Sequence, residues 1–452
     1  MTKSMSTELI AYYNFDTILN AFPHAKNIWI ACSGGMDSSV LLHLVYLNKN
    51  KIKQKINVVY VNHGLQEKSI EWGKFCKKKS EKYGLDFRQL DIKENTPDGV
   101  SIEAWAREQR YALIAELMEE DDFLFTGHHQ DDQVETFFLQ ALRGGGPKGL
   151  ASMPVYKGFA GGIHARPLLE VNRSQLLSYA NENNLSWCED TSNANEKYDR
   201  NYLRKNILPE IEHRWPAYRE TTQRIIRHQQ DCALLLQEIG LEDLKLALNE
   251  DSASLQLDAL KMLSINRQKN LIFTWLKELQ LASPTSRHID HIFSDLIYTE
   301  NENMPCVNWK DVEIRRYRRI LYASKVMSKN NVKNEYNWDI SKPLRIMDEV
   351  LIAKSNVGLG LSKEKIKDSC IVIKYRQGGE KIRPHNKSHS ISVKQLFQES
   401  GVLPWVRDRF PLIYIDNELA LIPGLCVDKN YSANNQESSF QIEWSGYEKA
   451  IQ

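Results

Sequence analysis

Short β-rich runs alternate with helical patterns over roughly the first 215 residues, and this alternation is the strongest constraint on the fold. The predicted strands are Asn27–Cys32, Asn57–Asn62, Phe87–Ile92 and Phe123–Gly127. The predicted helices that follow them are Ser38–Asn48, Ser69–Tyr83, Ile102–Glu119 and Asp131–Arg143. Such alternation predicts an α/β fold, a mostly parallel sheet with helices on both faces, in which ligands bind at the carboxyl ends of the strands.

The remainder of the chain has a different pattern. From about Pro216 long helical periodicity takes over, and it closes with a basic, strand-like run near Val312–Ala323. We therefore expect an N-terminal domain at residues 1–215 and a largely helical domain at residues 216–324. Residues 325–338 are polar and rich in lysine and asparagine, as a linker would be. A small α+β domain is expected at residues 339–452.

Composition narrows the class of protein. Hydrophobic residues make up 42% and charged residues 26% of the chain, and no run approaches the roughly 18 apolar residues that a membrane span requires. The N-terminus shows no apolar signal segment, so we expect a cytoplasmic protein without a membrane partner. Seven scattered cysteines, none spaced as CxxC, argue against a disulfide framework, a structural zinc site and an iron–sulfur cluster. With a net charge of +1, binding to nucleic acid would depend on local basic patches.

The stretch SGGMDS, after the first predicted strand, predicts a phosphate-binding loop. A glycine pair lets the backbone approach a ligand closely, and the amides before a helix form an anion site. Ser33 and Ser38 add hydroxyl donors, and Asp37 suits Mg²⁺, which prefers carboxylate and phosphate oxygens together. The Walker lysine is missing, and the alternative is a tight turn in which Asp37 and Ser38 only begin a helix. The nucleotide-binding residues would be Ser33, Gly34, Gly35, Met36, Asp37 and Ser38.

Three acids, Asp131, Asp132 and Glu135, open the helix after the fourth predicted strand. The helix dipole favours carboxylates in a first turn, which explains one or two of them without any function. Capping gives no reason for His128 and His129, which precede the acids at the ligand-binding edge. Adjacent His and Asp residues are also typical of divalent-metal phosphohydrolases, so a metal centre is one alternative.

Basic residues on two further segments are candidate phosphate contacts. Arg107 and Arg110 lie three apart and project from one helix face, where one of them, Arg107 by preference, would stabilise charge at an α-phosphate. The glycine-rich run at residues 143–153 is a loop, and its Arg143 and Lys148 suit either a nucleotide base or an RNA backbone.

Arg200 and Arg204 lie four residues apart on one predicted helix face. Two arginines on one helix face suit phosphate contacts with RNA. Pairing with the nearby acids Glu189 or Asp190 is an equally good interpretation, and the sequence does not decide between them.

Two basic segments near the C-terminus are candidate RNA-binding surfaces. In residues 314–325 a single strand would align Arg315, Tyr317 and Arg319 in one stripe, although a solvated sheet face explains it nearly as well. Residues 371–410 carry eight Lys or Arg against three Asp or Glu. From this local excess we expect contacts with a polyanion at Arg376, Arg383, Lys387, Lys394, Arg407 and Arg409.

These motifs together resemble a known family. SGGMDS is similar to the SGGxDS loop of the PP-loop pyrophosphatase superfamily, whose members split ATP between the α and β phosphates. The following motifs come in the order seen in the tRNA(Ile)-lysidine synthetase family: VNHGL (61–65), EAWAREQRY (103–111), TGHHQDDQVET (126–136), RGGGPKGLASM (143–153), RPLL (166–169) and EDTSNANEKYDRNYLR (189–204). Residues 371–410 also resemble the C-terminal tRNA-binding domain of that family.

The resemblance implies an activity and assigns roles to residues. It implies ATP and Mg²⁺ as cofactors, with Asp37 as the metal ligand, and free L-lysine and a CAU-anticodon isoleucine tRNA as partners. Lysine would be bound by Asp131, Asp132 and Glu135, or these acids would help hold Mg²⁺. The residues expected to serve catalysis are Asp37, Arg107, Arg110, Asp132 and Glu135. Contacts with tRNA would include Arg143, Lys148, Arg200 and Arg204.

Rival functions come from three classes. A tRNA cytidine thiolase of the iron–sulfur type would need CxxC pairs, which this chain lacks. In a small-molecule amidotransferase or ligase, the basic C-terminal segment would have no function. A non-catalytic RNA-binding protein would leave the loop Ser33–Ser38 unexplained. The sequence permits a homodimer without predicting an oligomeric state.

Overall fold

The computed structural model describes most of the chain, and it divides the chain into two compact units at residues 236 and 237. The residues described are 15–64, 68–94, 96–97, 102–189, 196–249, 253–300, 304–326, 335–347, 349–385, 387 and 389–447.

A six-stranded sheet forms the centre of the first unit, in the order β3-β2-β1-β4-β6-β5. Its strands are β1 (Asn27–Ala31), β2 (Lys55–Asn62), β3 (Asp86–Asp91), β4 (Phe123–Phe125), β5 (Tyr156–Phe159) and β6 (Gly162–Ala165). All neighbours are parallel except β5, which forms an antiparallel hairpin with β6 at the edge. The predicted mostly parallel sheet is confirmed, and the β5–β6 hairpin is an addition that the sequence pattern did not indicate.

Helices cover both faces of this sheet, as predicted. They are α1 (Met36–Leu47), α2 (Ser69–Tyr83), α3 (Ile102–Leu117), α4 (Gln130–Leu142), α5 (Pro147–Leu150), α6 (Arg173–Glu182), α7 (Asp199–Tyr202) and α8 (Leu208–Arg214). A π-helical turn, Leu203–Ile207, joins α7 to α8. Along β1 successive side chains enter opposite cores: Ile28 and Ile30 pack with the apolar side of α1, whereas Trp29 packs with Ile114 of α3.

Strand β1 lies between β2 and β4, so the chain order reverses beside it. A crevice opens beyond the carboxyl ends of neighbouring strands at such a reversal, and ligands of α/β sheets bind there. The SGGMDS loop follows β1 and the TGHHQDD segment follows β4. Two segments that are about 90 residues apart in sequence therefore meet at one edge.

The second unit begins within a long helix and continues with helices and a small antiparallel sheet. The helices are α9 (Tyr218–Ala247), which starts in the first unit, α10 (Leu257–Met262), α11 (Ile265–Glu278) and α12 (Ser286–His291), followed by a π-helical turn at Ile292–Ile297. The strands, in the order β7-β10-β9-β8, are β7 (Leu255–Gln256), β8 (Cys306–Trp309), β9 (Val312–Tyr317) and β10 (Ile320–Lys325).

The single strand expected for residues 314–325 was wrong. The chain reverses at Arg318, which has φ of +54°, and β9 pairs with β10 as a hairpin. Arg319 therefore does not continue the stripe of Arg315 and Tyr317. Instead it pairs with Asp258.

Among the described residues, the C-terminal part of the second unit contains two sheets, a short ribbon, one α-helix and a 3₁₀ turn at Arg407–Arg409. The sheets are ordered β11-β15-β18-β19-β20 and β12-β13-β21-β14, and β16 pairs with β17. The elements are β11 (Glu335–Asn337), β12 (Leu344–Ile346), β13 (Glu349–Val357), β14 (Leu361–Ser362), β15 (Ile371–Lys374), β16 (Lys381–Ile382), β17 (Ile391–Ser392), α13 (Val393–Glu399), β18 (Leu412–Ile415), β19 (Glu418–Ile422), β20 (Cys426–Val427) and β21 (Ser438–Trp444). Strand β11 lies within the predicted linker. None of the helices in the described ranges is both long and apolar enough to span a bilayer.

Candidate active site

A cavity of about 200 Å³ opens at the carboxyl ends of β1 and β4. Four of the motifs singled out in the sequence contribute to its wall, and VNHGL does so through Val61 and His63. The SGGMDS loop contributes Ser33, Gly35, Asp37 and Ser38, helix α3 contributes Arg110, and the segment after β4 contributes His128 and Asp132. The sequence prediction of a ligand site at this edge therefore corresponds to a real concavity.

The SGGMDS loop is shaped by one glycine and one serine. Gly34 has φ of +86°, a conformation that a side chain would strain. Ser38 Oγ donates to the carbonyl of Gly35 at 3.0 Å and accepts from the amide of Ser33 at 3.2 Å, so it closes the loop on itself. Met36 is buried in the core and offers only its backbone. The loop thus presents the amide end of α1 to the cavity, as an anion site requires.

Asp37 is the acid in the cavity whose hydrogen-bonding capacity is least satisfied. Its Oδ1 is buried and has no hydrogen-bond partner, and its Oδ2 lies 3.7 Å from His129 Nε2. Burial raises the pKa of Asp37, and the neighbouring Asp132 adds to the shift while His129 opposes it. A half-buried carboxylate with an unsatisfied oxygen is a favourable ligand for a cation.

His129 is buried among three carboxylates at the start of α4. Its ring nitrogens lie 3.7 Å from Asp37, 3.7 Å from Asp131 and 3.5 Å from Asp132. Asp132 also accepts from the amide of His129 at 3.1 Å. Burial opposes ionisation of Asp132, but His129 and Arg200 hold its pKa to about 2. Asp132 is therefore an anion at neutral pH, and it lines the cavity.

Glu135 and Asp131 already have cationic partners. Glu135, only 1% exposed, accepts from Arg200 Nε and Arg204 Nε, each at 2.6 Å. Asp131 accepts from Arg219 Nε and from the amide of Arg173, each at 2.8 Å. These hydrogen bonds hold the pKa of Asp131 below its ordinary value although burial opposes the shift. Both acids thus have their oxygens engaged by the protein itself.

The two arginines of the segment at 189–204 are placed by these bonds. Arg200 and Arg204 were expected to contact phosphates or to pair with Glu189 or Asp190. The structure pairs both with Glu135 and also places Arg200 3.2 Å from Asp132, whereas Asp190 lies outside the described residues. An i,i+4 spacing places them on one face, as expected, but that face points at α4.

Arg107 and Arg110 differ in position. Arg110 lines the cavity, and burial lowers its pKa, although a guanidinium stays ionised at neutral pH. Arg107 is exposed, with its guanidinium 5.3 Å from the ring centre of Tyr111. The structure therefore brings Arg110 rather than Arg107 to the nucleotide loop.

The other predicted tRNA contacts fall into two groups. Arg143 and Lys148 are exposed beyond α4, and Arg143 is 3.8 Å from Asp199. In the second unit Lys394 and Arg409 are exposed. The remaining four are half-buried and have partners within their own domain. Arg376 forms ion pairs with Glu380 and Asp408, and Lys387 forms one with Glu399. Arg383 donates to Asn430, and Arg407 donates to the carbonyl of Val402.

Sequence reasoning missed several residues of this region. His164 and Arg166 lie behind the cavity wall, and Arg219 reaches Asp131 from α9. Arg166 was within a recognised motif but had no assigned role. His164 and Arg219 carried no signal, because a single polar residue in a strand or a long helix looks like any other.

Comparison with known proteins identifies the family. Family profiles described as a PP-loop domain, a TilS substrate binding domain and a TilS substrate C-terminal domain match residues 7–211, 255–322 and 371–444. The tRNA(Ile)-lysidine synthase of Coxiella burnetii is 34% identical over 420 residues, which cover 92% of this chain and 93% of that protein. The chain belongs to the tRNA(Ile)-lysidine synthase family.

Further relatives match this chain at similar levels. The tRNA(Ile)-lysidine synthase of Nitrosomonas europaea is 32% identical over 450 residues, which cover 98% of this chain and 97% of that protein. That of Methylococcus capsulatus is 34% identical over 397 residues, with 87% and 90% covered. The resemblance drawn from ordered motifs is thereby confirmed over nearly the whole length, and not only for the PP-loop domain.

Proposed function

We propose that this protein ligates free L-lysine to C2 of the first anticodon cytidine of a CAU-anticodon isoleucine tRNA, at the expense of ATP. The C2 oxygen of the cytidine attacks the α-phosphate of ATP and pyrophosphate leaves. The ε-amine of lysine then displaces AMP at C2 and gives lysidine. The observation that carries the proposal is that a phosphate-binding loop, Arg110 and Asp132 line one cavity in a chain of this family.

The first step builds negative charge on the pyrophosphate and on the transferred phosphoryl group. Backbone amides at the start of α1 and the hydroxyl of Ser33 would bind the leaving pyrophosphate. Arg110, which is largely buried in the cavity wall, would stabilise charge at the α-phosphate, because preorganised donors are especially effective where water is excluded. Arg107 would then lie at the outer edge of the site.

A Mg²⁺ ion would bind beside Asp37. The unsatisfied Oδ1 supplies a carboxylate oxygen, the donor that Mg²⁺ prefers. In the described part of the chain, no group of three or more His, Cys, Asp or Glu side chains is arranged to hold a metal alone. The ion would therefore take its other ligands from phosphate oxygens and water, and it would neutralise charge on the pyrophosphate.

The lysine site would be built around Asp132. Of the three acids assigned to lysine, Asp132 lines the cavity and stays ionised. Asp131 and Glu135 would act indirectly, because they hold Arg219, Arg200 and Arg204 in place. The attacking amine must be neutral, and its ordinary pKa is about 10.4, so desolvation in the cavity has to lower it.

Recognition of the tRNA would use exposed basic residues of both units. Arg143 and Lys148 lie after α4, and Lys394 and Arg409 lie in the C-terminal domain. The target cytidine must leave the anticodon stack to enter the cavity, and the protein must therefore bind the rest of the tRNA. A cytoplasmic location stays a prediction from the sequence, which permits a homodimer without predicting one.

The decisive experiment combines the protein with ATP, labelled lysine and two CAU-anticodon transcripts, one of isoleucine tRNA and one of methionine tRNA. We expect label only in the isoleucine transcript, and pyrophosphate release that depends on that RNA. Label in neither transcript would overturn the proposal. Binding of both transcripts without pyrophosphate release would instead support a non-catalytic RNA-binding protein.

A further inference from the structure

A buried chain of polar side chains lies behind the cavity wall. It consists of Thr126 after β4, His128, and His164 and Arg166 at the end of the neighbouring strand β6. Thr126 Oγ1 lies 2.7 Å from His128 Nδ1 and 2.9 Å from His164 Nε2. His164 Nδ1 lies 3.2 Å from a terminal nitrogen of Arg166. Thr126, His164 and Arg166 are buried, and His128 lines the cavity.

The direction of each hydrogen bond follows from Arg166, because its guanidinium can only donate. The guanidinium of Arg166 has no acceptor, so His164 Nδ1 must accept from it. Burial, reinforced by Arg166, lowers the pKa of His164 to about 2, so the ring is neutral and carries its one proton on Nε2. That proton is donated to Thr126 Oγ1.

The hydrogen bonds of Thr126 also determine the tautomer of His128, which lines the cavity. The hydroxyl of Thr126 already accepts from His164, and its own proton has His128 Nδ1 as a close acceptor. If His128 Nδ1 carried a proton instead, Thr126 would accept twice and its buried hydroxyl proton would lack an acceptor, which is disfavoured. Burial also lowers the pKa of His128 to about 3, with Asp132 opposing and Arg166 and Arg107 reinforcing the shift.

We propose that Thr126, His164 and Arg166 are positioning residues that fix His128 as a neutral imidazole with its proton on Nε2, so that His128 presents a hydrogen-bond donor to the nucleotide cavity. Insofar as it names an acceptor, the inference rests on the proposed function: a phosphate or cytidine carbonyl oxygen would receive this bond. The arrangement also excludes His128 as the base that deprotonates lysine, because its unprotonated nitrogen is engaged by Thr126.

The state of His128 can be read directly by nitrogen NMR of the full-length protein labelled with ¹⁵N-histidine, without substrates. A His128→Gln variant assigns the signal, because one of twelve histidines disappears. We expect an unprotonated Nδ1 and a protonated Nε2 at neutral pH. A protonated Nδ1, alone or in an imidazolium, would refute the inference.

Two substitutions at one position separate positioning from a merely structural role. Thr126→Val removes the hydroxyl at nearly constant shape, and Thr126→Ser keeps it. In the valine variant we expect mixed tautomers at His128 and an RNA-dependent pyrophosphate release slower by about tenfold in kcat, the value of one hydrogen bond, with KM for ATP nearly unchanged. The serine variant should restore both.

The outcomes distinguish this inference from the proposed function. If Thr126→Val leaves the nitrogen spectrum of His128 unchanged, the positioning chain is wrong even if lysidine forms. If the spectra behave as expected but no transcript is labelled with lysine, the chain of hydrogen bonds stands and the proposed reaction fails. A loss of stability in both Thr126 variants without a change of tautomer would assign a purely structural role and also refute the inference.

Discussion

The nucleotide cavity and the C-terminal basic segment handle their charged groups in opposite ways. In the cavity, Asp37 keeps a buried oxygen without a partner, and Asp132 faces the open space as an anion. In residues 371–410, four of the six arginines and lysines expected to bind RNA form ion pairs or hydrogen bonds within their own domain. A site for a compact ligand holds unsatisfied groups at fixed positions, whereas a tRNA surface can depend only on the charges that remain exposed.

Asp37→Asn should produce the largest effect, because it removes charge from the least satisfied group. We expect RNA-dependent pyrophosphate release to fall by on the order of 100-fold or more, the loss typical of one preorganised electrostatic group. The matched control is Asp86→Asn, an exposed carboxylate on β3 that pairs with Lys55 at the surface. Equal activity of the two variants would remove Asp37 from the mechanism.

The same variant tests whether the unsatisfied oxygen has a cost in stability. The folded-state pKa of Asp37 is raised, so its ionised form destabilises the fold at neutral pH, and this penalty disappears as pH falls through that pKa. Asp37→Asn should therefore unfold at higher temperature than the wild type at pH 7, and the difference should shrink toward about pH 4. Thermal unfolding at both pH values measures it. A destabilised asparagine variant at pH 7 would contradict the assignment.

Glu135→Gln tests a group in the same region that is fully compensated. Glu135→Gln leaves Arg200 and Arg204 with Asp132 as the carboxylate they share, and both arginines are about one-third exposed, so Asp132 and water relieve part of the cost. We expect a loss of about 3 kcal/mol in the free energy of unfolding of the first unit, the low end for such pairs. Urea unfolding followed by tryptophan fluorescence reports it.

Glu212→Gln provides the contrast for that measurement. Glu212 also accepts from an arginine, Arg219, but it is exposed and Arg219 keeps its bond to Asp131. The expected loss is below about 1 kcal/mol. If both variants lose the same free energy of unfolding, burial of Glu135 adds nothing to the strength of its ion pairs, and the expected difference between Glu135 and Glu212 is wrong.

Gly127→Ala tests how closely the two segments at the cavity must approach. A Cβ at Gly127 would lie 3.0 Å from the carbonyl carbon and oxygen of Asp37, tighter than ordinary contact, so the loop would have to shift. We expect ATP affinity to fall by about tenfold, since small displacements of positioned groups are costly. Gly158→Ala, on β5 with open space around it, is the matched control and should leave ATP affinity unchanged.

Sequence reasoning located the cavity but not the partners inside it. The apolar runs of β1, β2 and β4 and the glycine pair are local signals, and local signals placed Ser33–Ser38 correctly at the sheet edge. Which arginine reaches the cavity depends on how α3 rotates against the sheet, and residues three apart on a helix do not reveal that. The bonds of Arg200 and Arg204 to Glu135 join positions more than 60 residues apart, a distance over which periodicity carries no information.

The C-terminal domain shows the complementary failure. Charge counting found the basic segment, because an excess of Lys and Arg is a property of composition. It did not separate exposed residues from those that stabilise the domain, because burial of a guanidinium depends on the tertiary fold. Arg376 and Lys394 look equivalent in sequence, yet the first is held near Glu380 and Asp408 and the second is exposed.

Lys394→Ala and Arg383→Ala provide the smallest effects and the most direct test of that separation. Lys394 is exposed, so its removal should weaken tRNA binding a few-fold and reduce the slope of log affinity against log salt by about 1, the signature of one lost phosphate contact. The guanidinium of Arg383 donates to Asn430, and Arg383→Ala removes this bond, so the variant should reduce the stability of the domain and leave the salt slope nearly unchanged. Filter binding over a salt series, with thermal unfolding of each variant, measures both quantities. Equal changes of slope would mean that an arginine with a partner inside the domain still contacts the tRNA. Exposure would then not distinguish the residues that bind tRNA from those that stabilise the domain.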